Sequence, residues 1–332
     1  MTHSEHPDEQ PHSNDRKRTE WRAMVADYAG LLGALGLLIL VFSLCTQHFF
    51  SRTTFLTIAN QIPAVLLIAT GMTYILIIAE IDLSVGSVLG FCSAVLGMAL
   101  TQWHWSLAPS LAMALVTGLA CGAFNGLVAL HWRLPSFIVT LGMLEMARGG
   151  AHAVSHSQTQ YIGSTIESVA GSHLFGLSLP FIIAIIVVIS AQVVLSRTIF
   201  GRYMVAIGTN EEAVRLSGIN PKPIKLTVFL ITGLLVAMAA IIDTSRFQSA
   251  NPNAGSGFEL QAIAAAVIGG TSLMGGRGSV ASTLLGVLII AVLNSGLASV
   301  GAKDELKRLV TGAVIVAAVI LDQYRHRFRR SS

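Results

Sequence analysis

The chain has 332 residues, of which 53% are hydrophobic and only 11% are Asp, Glu, Lys or Arg. A soluble globular protein carries about 25% charged residues, so a water-soluble fold of this length is excluded and lipid must cover part of the surface. The net charge is +4, and the basic residues crowd the two ends and one central loop, with no soluble basic domain of the kind that binds nucleic acid.

Residues 1–25 are polar, with His3, His6 and His12 scattered among Ser, Asp, Glu, Gln and Pro. This composition cannot bury enough apolar surface to order itself, and a disordered tail is predicted. The first apolar run, near Tyr28, is too long for a signal peptide and has no small-residue cleavage site. A spanning helix needs about 20 mostly apolar residues. Ten candidates follow: 28–49, 62–80, 84–101, 107–130, 136–154, 176–195, 224–246, 258–274, 279–299 and 306–323. The eighth is short and glycine-rich, and the second and third are barely separated.

The alternation of ten spans places fifteen Lys and Arg on the side of the two termini and five on the other. The positive-inside rule then puts both ends in the cytoplasm. Cys45, Cys92 and Cys121 lie in apolar runs, with no spacing that suggests a disulfide framework or a metal site.

Two loops are long. The outer one, 155–175, is rich in Ser, Gly and Gln and is predicted to pack on the surface. The inner one, 196–223, contains Thr209 or Asn210 as a helix cap, followed by Glu211 and Glu212 in the first turn. Pro221 and Pro223 prevent that helix from running on into the next span. A short amphipathic helix framed by Gly208 and Gly218 is predicted, with Ala213 in its second turn. A mere connector would not need a capped helix, so docking to a cytoplasmic partner is favoured.

Ionisable residues inside spans cost roughly 2.5–3.5 kcal/mol each at mid-helix. Glu145 and Arg148 stand three apart on one helix face and are placed to neutralise each other. Asp243 and Arg246 repeat the spacing, and Glu80 and Asp82 end the second span. For each pair, structural neutralisation and contact with a substrate both remain open. Two glycine-rich breaks are more specific: IDLSVGS at 81–87 and GGTSLMGGRGS at 269–279. Non-helical backbone survives at membrane depth only where protein buries it or a watery cavity meets it, and broken helices accompany transport pathways. There is no GxxxxGK[ST] loop, GxSxG or HExxH; no cofactor is expected, and a membrane enzyme lacks a nucleophile or metal constellation.

Taken with FNG at 124–126, PSFIVTLGM at 135–143, ARG at 147–149, GRYMVAIGTNEEAVRLSGI at 201–219, the run 251–279 and LNSGL at 293–297, these stretches resemble the permease subunit of bacterial ABC importers of ribose, xylose, galactose and arabinose. The resemblance covers about residues 28–322. It implies an all-α membrane protein of the bacterial inner membrane, a bundle of about ten transmembrane helices with short broken or re-entrant segments. The permease domain spans 26–325, with a basic tail at 326–332. It implies three partners: an ATP-binding subunit, a periplasmic sugar-binding protein, and a second permease subunit, identical or paralogous.

The coupling loop, 196–223, would present Gly201, Arg202, Gly208, Asn210, Glu211, Glu212, Ala213 and Gly218 to the ATP-binding subunit. The candidate translocation pathway is Asp82, Ser84, Asn125, Arg148, Glu259 and Asn294. The chain departs from the family pattern at Glu80, Glu145, Asp243 and Gln261, which bears on the substrate. A permease for a nucleoside or amino acid is the nearest alternative, and an ion-coupled secondary transporter, which would leave the 196–223 loop without a task, is a more distant one.

Overall fold

The computed structural model describes residues 13–47, 49–171, 173–174 and 176–330. Fourteen helices account for most of them. They are α1 (Ser13–Cys45), α2 (Arg52–Gln61), α3 (Pro63–Ile77), α4 (Val85–Thr101), α5 (Leu107–Trp132), α6 (Ser136–Val154), α7 (Ser164–Ala170), α8 (Leu179–Arg197), α9 (Ile199–Thr209), α10 (Glu211–Leu216), α11 (Pro221–Phe247), α12 (Phe258–Ile268), α13 (Val280–Ser299) and α14 (Asp304–Arg330).

Each of the ten predicted spans contains a helix. Among the described residues five are individually long and apolar enough to cross a membrane, and the α2–α3 pair, bent by 51°, makes a sixth. The predicted eighth span is the largest correction. α12 stops at Ile268, so its 11 residues cover about 16 Å, half of a hydrocarbon core. It stops because Gly270 takes φ +86°, and the amides of Gly270 and Thr271 return to the carbonyls of Val267 and Ala266, a closure that ends a helix. At the start of the chain α1 begins at Ser13, within the predicted 1–25 tail, of which residues 1–12, with His3, His6 and His12, lie outside the described residues.

α3 is the axle of the bundle. Every one of its residues but Val65 is buried, as expected of a helix that is apolar all round. α11 lies against it and crosses α5 at close range. A Cβ on Gly118 or Gly122 of α5 would strike the carbonyls of Gly233 and Phe229 in α11, and one on Gly233 would strike the Gly118 carbonyl. Small residues at such crossings let helices pack where lipid offers no hydrophobic drive. By contrast α1 and α8 turn Leu37, Leu40, Ile186 and Ile189 outward, an apolar surface suited to acyl chains.

The 155–175 loop packs at one end of the bundle, as predicted. Gln160–Tyr161 pairs antiparallel with Ser249–Ala250, and the Ser245 hydroxyl of α11 donates to the Ile166 carbonyl of α7 at 2.7 Å.

Candidate functional site

At the opposite end of the bundle, α9 and α10 form the predicted capped elbow. The Asn210 side chain accepts from the Ala213 amide at 3.0 Å, which satisfies one of the free donors of a helix start. Glu211 and Glu212 occupy the first turn of α10 and Arg215 the last, the arrangement a helix dipole favours. The Glu212 carboxylate bonds the Arg215 guanidinium at 2.5 Å and holds it more firmly protonated.

Past α10, Gly218 takes φ +83°, and the amides of Gly218 and Ile219 close on the carbonyls of Arg215 and Val214. Val214 is the one buried residue of α10. Ala213 is exposed, in the first turn rather than the predicted second, because it is only the third residue after the Asn210 cap. Gly201 is buried against the Leu195 carbonyl, where α8 folds back into α9, and Arg202 is exposed.

The elbow meets both glycine-rich breaks at the end of α3. A Cβ on Gly208 would overlap the Ile77 carbonyl oxygen and the Gly276 amide, which are hydrogen-bonded to each other at 2.9 Å. α3 ends with Ala79 at φ +58°, a left-handed conformation normally given to glycine. The amides of Ala79 and Glu80 bond the carbonyls of Leu76 and Ile75. That turn aims Glu80 at Lys225 of α11, whose Nζ donates to Glu80 Oε1 at 2.6 Å and to Glu211 Oε2 at 2.6 Å. Lys225 is a site residue that sequence reasoning missed. The sequence shows it only as one more basic residue of a basic loop, 145 positions from Glu80.

The first break is held by side chains. Asp82, buried, accepts from the Ser84 amide at 2.9 Å and the Ser84 hydroxyl at 2.6 Å. Asn125 of α5 donates to Ser84 Oγ at 3.0 Å, and its own carbonyl oxygen is buried without a partner among the described residues. The amides of Ile81 and Leu83 donate to the Ser136 and Thr140 hydroxyls of α6. Irregular backbone within a membrane protein is thus satisfied from neighbouring helices, and three predicted pathway residues, Asp82, Ser84 and Asn125, are brought together.

Arg148 and Glu259 form a second group against α4. Arg148 Nη1 donates to the carbonyls of Pro252 and Ala254 at 2.6 and 3.2 Å. Glu259 Oε1 accepts from the Gly257 amide at 3.2 Å. Gly90 and Gly86 of α4 leave the room, since a Cβ at Gly90 would crowd Arg148 Nη1 and one at Gly86 would crowd the Glu259 carboxylate.

No direct ion pair joins Glu145 and Arg148, whose mutual neutralisation is one of two roles left open by the sequence; the long arginine side chain instead reaches the carbonyls of the 251–257 turn. Nor does one join Asp243 to Arg246, whose guanidinium lies 5.0 Å over the Phe247 ring. Asn294 stands apart from both groups, accepting from Thr311 at 3.3 Å on the α13–α14 contact.

Glu145 itself is exposed. It is the middle residue of α6, on a face with Ile138, Leu141, Gly142 and Gly149 that is exposed among the described residues. A Cβ on Gly142 or Gly149 would meet no atom within 4 Å.

Residues 54–319 match the family model for the branched-chain amino acid transport system / permease component. The chain is 37% identical over 296 residues to the ribose import permease protein of Haemophilus influenzae, covering 88% of this chain and 91% of that one. It is 34% identical over 265 residues to the L-arabinose ABC transporter permease protein of Azospirillum brasilense, 80% of this chain and 78% of that one. It is 31% identical over 310 residues to the fructose import permease protein of Rhizobium meliloti, 88% and 85% of the two chains. No solved structure matches.

Proposed function

The chain belongs to the branched-chain amino acid transport system / permease component family, and we propose that it is the membrane permease of an ABC importer for a monosaccharide or related polyol. The relatives at 31–38% identity are named for ribose, L-arabinose and fructose import, which favours a sugar over the amino acids of the family description. ATP hydrolysis belongs to a separate subunit, since this chain has no phosphate-binding loop.

The observation that carries the reading is α10, a capped helix outside every candidate span with all its side chains but Val214 exposed. It supports docking of the ATP-binding subunit at Asn210 to Gly218. The Lys and Arg distribution supports a cytoplasmic location for that end and for both termini in a bacterial inner membrane. A periplasmic binding protein then delivers sugar at the other end, beside the 155–175 loop.

The α6 face supports a place for the pathway. With α6 crossing as the span 136–154 expected from the sequence, an ionisable residue at its middle faces water or protein, since lipid contact costs roughly 2.5–3.5 kcal/mol. Glu145 therefore points to the α6 face as the wall of an aqueous pathway completed by a second permease subunit, identical or paralogous. Arg148 and Glu259 lie just inside that wall, with Asp82, Ser84 and Asn125 toward the docking end.

Cysteine reactivity tests this. With the exposed Cys45 replaced by serine, Gly142→Cys and Gly149→Cys in α6 should react with a hydrophilic thiol reagent, and sugar should protect them. Ile186→Cys and Ile189→Cys in α8 should stay inert, because a thiol among acyl chains does not ionise. Equal reactivity on the two helices would contradict the placement.

A further inference from the structure

The docking end holds an ion cluster to which import of a sugar, so far, gives no task. Lys225 is 6% exposed, and its ammonium lies between two carboxylates, each 2.6 Å away. A buried ammonium persists only where such partners replace its water. The two partners belong to different machinery. Glu211 is the first residue of α10, half-exposed at 48%, whereas Glu80 is 15% exposed and directly precedes the Ile81–Ser84 break. Lys225 itself stands in the first turns of α11.

The covalent route out of α10 passes Gly218 at φ +83°, a hinge-like exit with no side chain to stiffen it. The charged route is shorter and is held by two charge-assisted hydrogen bonds, the stronger kind of polar contact. Glu80 is in turn fixed to α3 by the bond from its amide to the Ile75 carbonyl. Two residues on, Asp82 anchors Ser84, which Asn125 bonds from α5.

We infer that Lys225 is a positioning residue for transport, which carries displacement of α10 through Glu80 to the Asp82–Ser84 break. Motion of the ATP-binding subunit would then change the backbone beside the pathway, rather than only tilting α11. This rests on α10 being the docking helix.

The test is the number of sugar molecules taken up per ATP hydrolysed, in proteoliposomes holding the permease, its ATP-binding subunit and the binding protein. A purely structural role would lower the amount of transporter and scale both rates together, leaving the ratio unchanged. Glu80→Gln should keep the ATP-binding subunit bound and ATP hydrolysis running while the ratio falls about tenfold, the low end of what a hydrogen bond to a charged group contributes. Glu80→Asp keeps a carboxylate beside Lys225 and should retain more of the ratio than Glu80→Gln. A wild-type ratio in Glu80→Gln would overturn the inference. So would equal ratios in Glu80→Asp and Glu80→Gln; if Glu80→Gln does not accumulate, Lys225→Gln is read in its place, and a wild-type ratio there overturns the inference. Failure of the docking assignment is read separately, as an ATP-binding subunit that stays bound when α10 itself is enlarged.

Discussion

Gly208→Ala is expected to remove most of the folded permease from the membrane. One methyl group there falls on the Ile77 carbonyl oxygen and the Gly276 amide, both backbone atoms with no rotamer to escape into. Either α9 lifts off the end of α3, or the 2.9 Å bond between those two groups opens inside the protein. Overpacking costs roughly 1–3 kcal/mol, and an orphaned buried amide or carbonyl about 1–3 kcal/mol more. Together these are a large part of the 5–15 kcal/mol that holds a typical domain folded. Gly142→Ala is the matched control, because a Cβ there meets nothing within 4 Å and alanine is the better helix former. Membrane abundance and thermal aggregation in detergent should fall sharply for Gly208→Ala and stay level or rise for Gly142→Ala. Similar values for the two would show that the α3–α9 junction does not depend on close backbone approach.

Ala213→Trp is expected to release the ATP-binding subunit without harming the permease. Ala213 is exposed in the first turn of α10, so an indole there costs the isolated chain little. In a docked complex it would overfill the partner's groove by roughly 1–3 kcal/mol, a 5- to 150-fold loss of affinity. Gly218→Ala should weaken docking by a different route. A side chain at φ +83° costs roughly 1–2 kcal/mol and alters the exit from α10. Co-purification of the ATP-binding subunit with each variant is the measurement. Full retention of the subunit on Ala213→Trp would remove α10 from the interface.

What the sequence made legible was local. Thr209 or Asn210 followed by two glutamates marks a cap within four residues, and the structure places it on Asn210. The two breaks were legible because glycine, serine and aspartate interrupt apolar runs, and both lie where α3 and α12 end. Half-span length in α12 was visible only as weakness, since the apolar pattern runs to residue 274 while the chain closes at Gly270.

What depended on tertiary placement was hidden. A spacing of three put Glu145 beside Arg148, yet the arginine side chain follows the carbonyls of a turn about a hundred residues away. Glu80 and Lys225 carry no sequence signal for each other. Asn294 lies in its own motif, LNSGL, and was grouped with the pathway residues, but it faces α14. The bend between α2 and α3 also escaped, because α2 is not apolar enough to read as part of a span.

The most direct test of a permease for sugar in an ABC importer is uptake of labelled monosaccharide into proteoliposomes. They would contain this chain, its ATP-binding subunit and the binding protein, with ATP supplied on the side of α10. Uptake should require ATP hydrolysis and continue when ionophores collapse the proton and sodium gradients. Uptake driven by an ion gradient, with the ATP-binding subunit absent, would contradict the assignment and make the chain a secondary transporter.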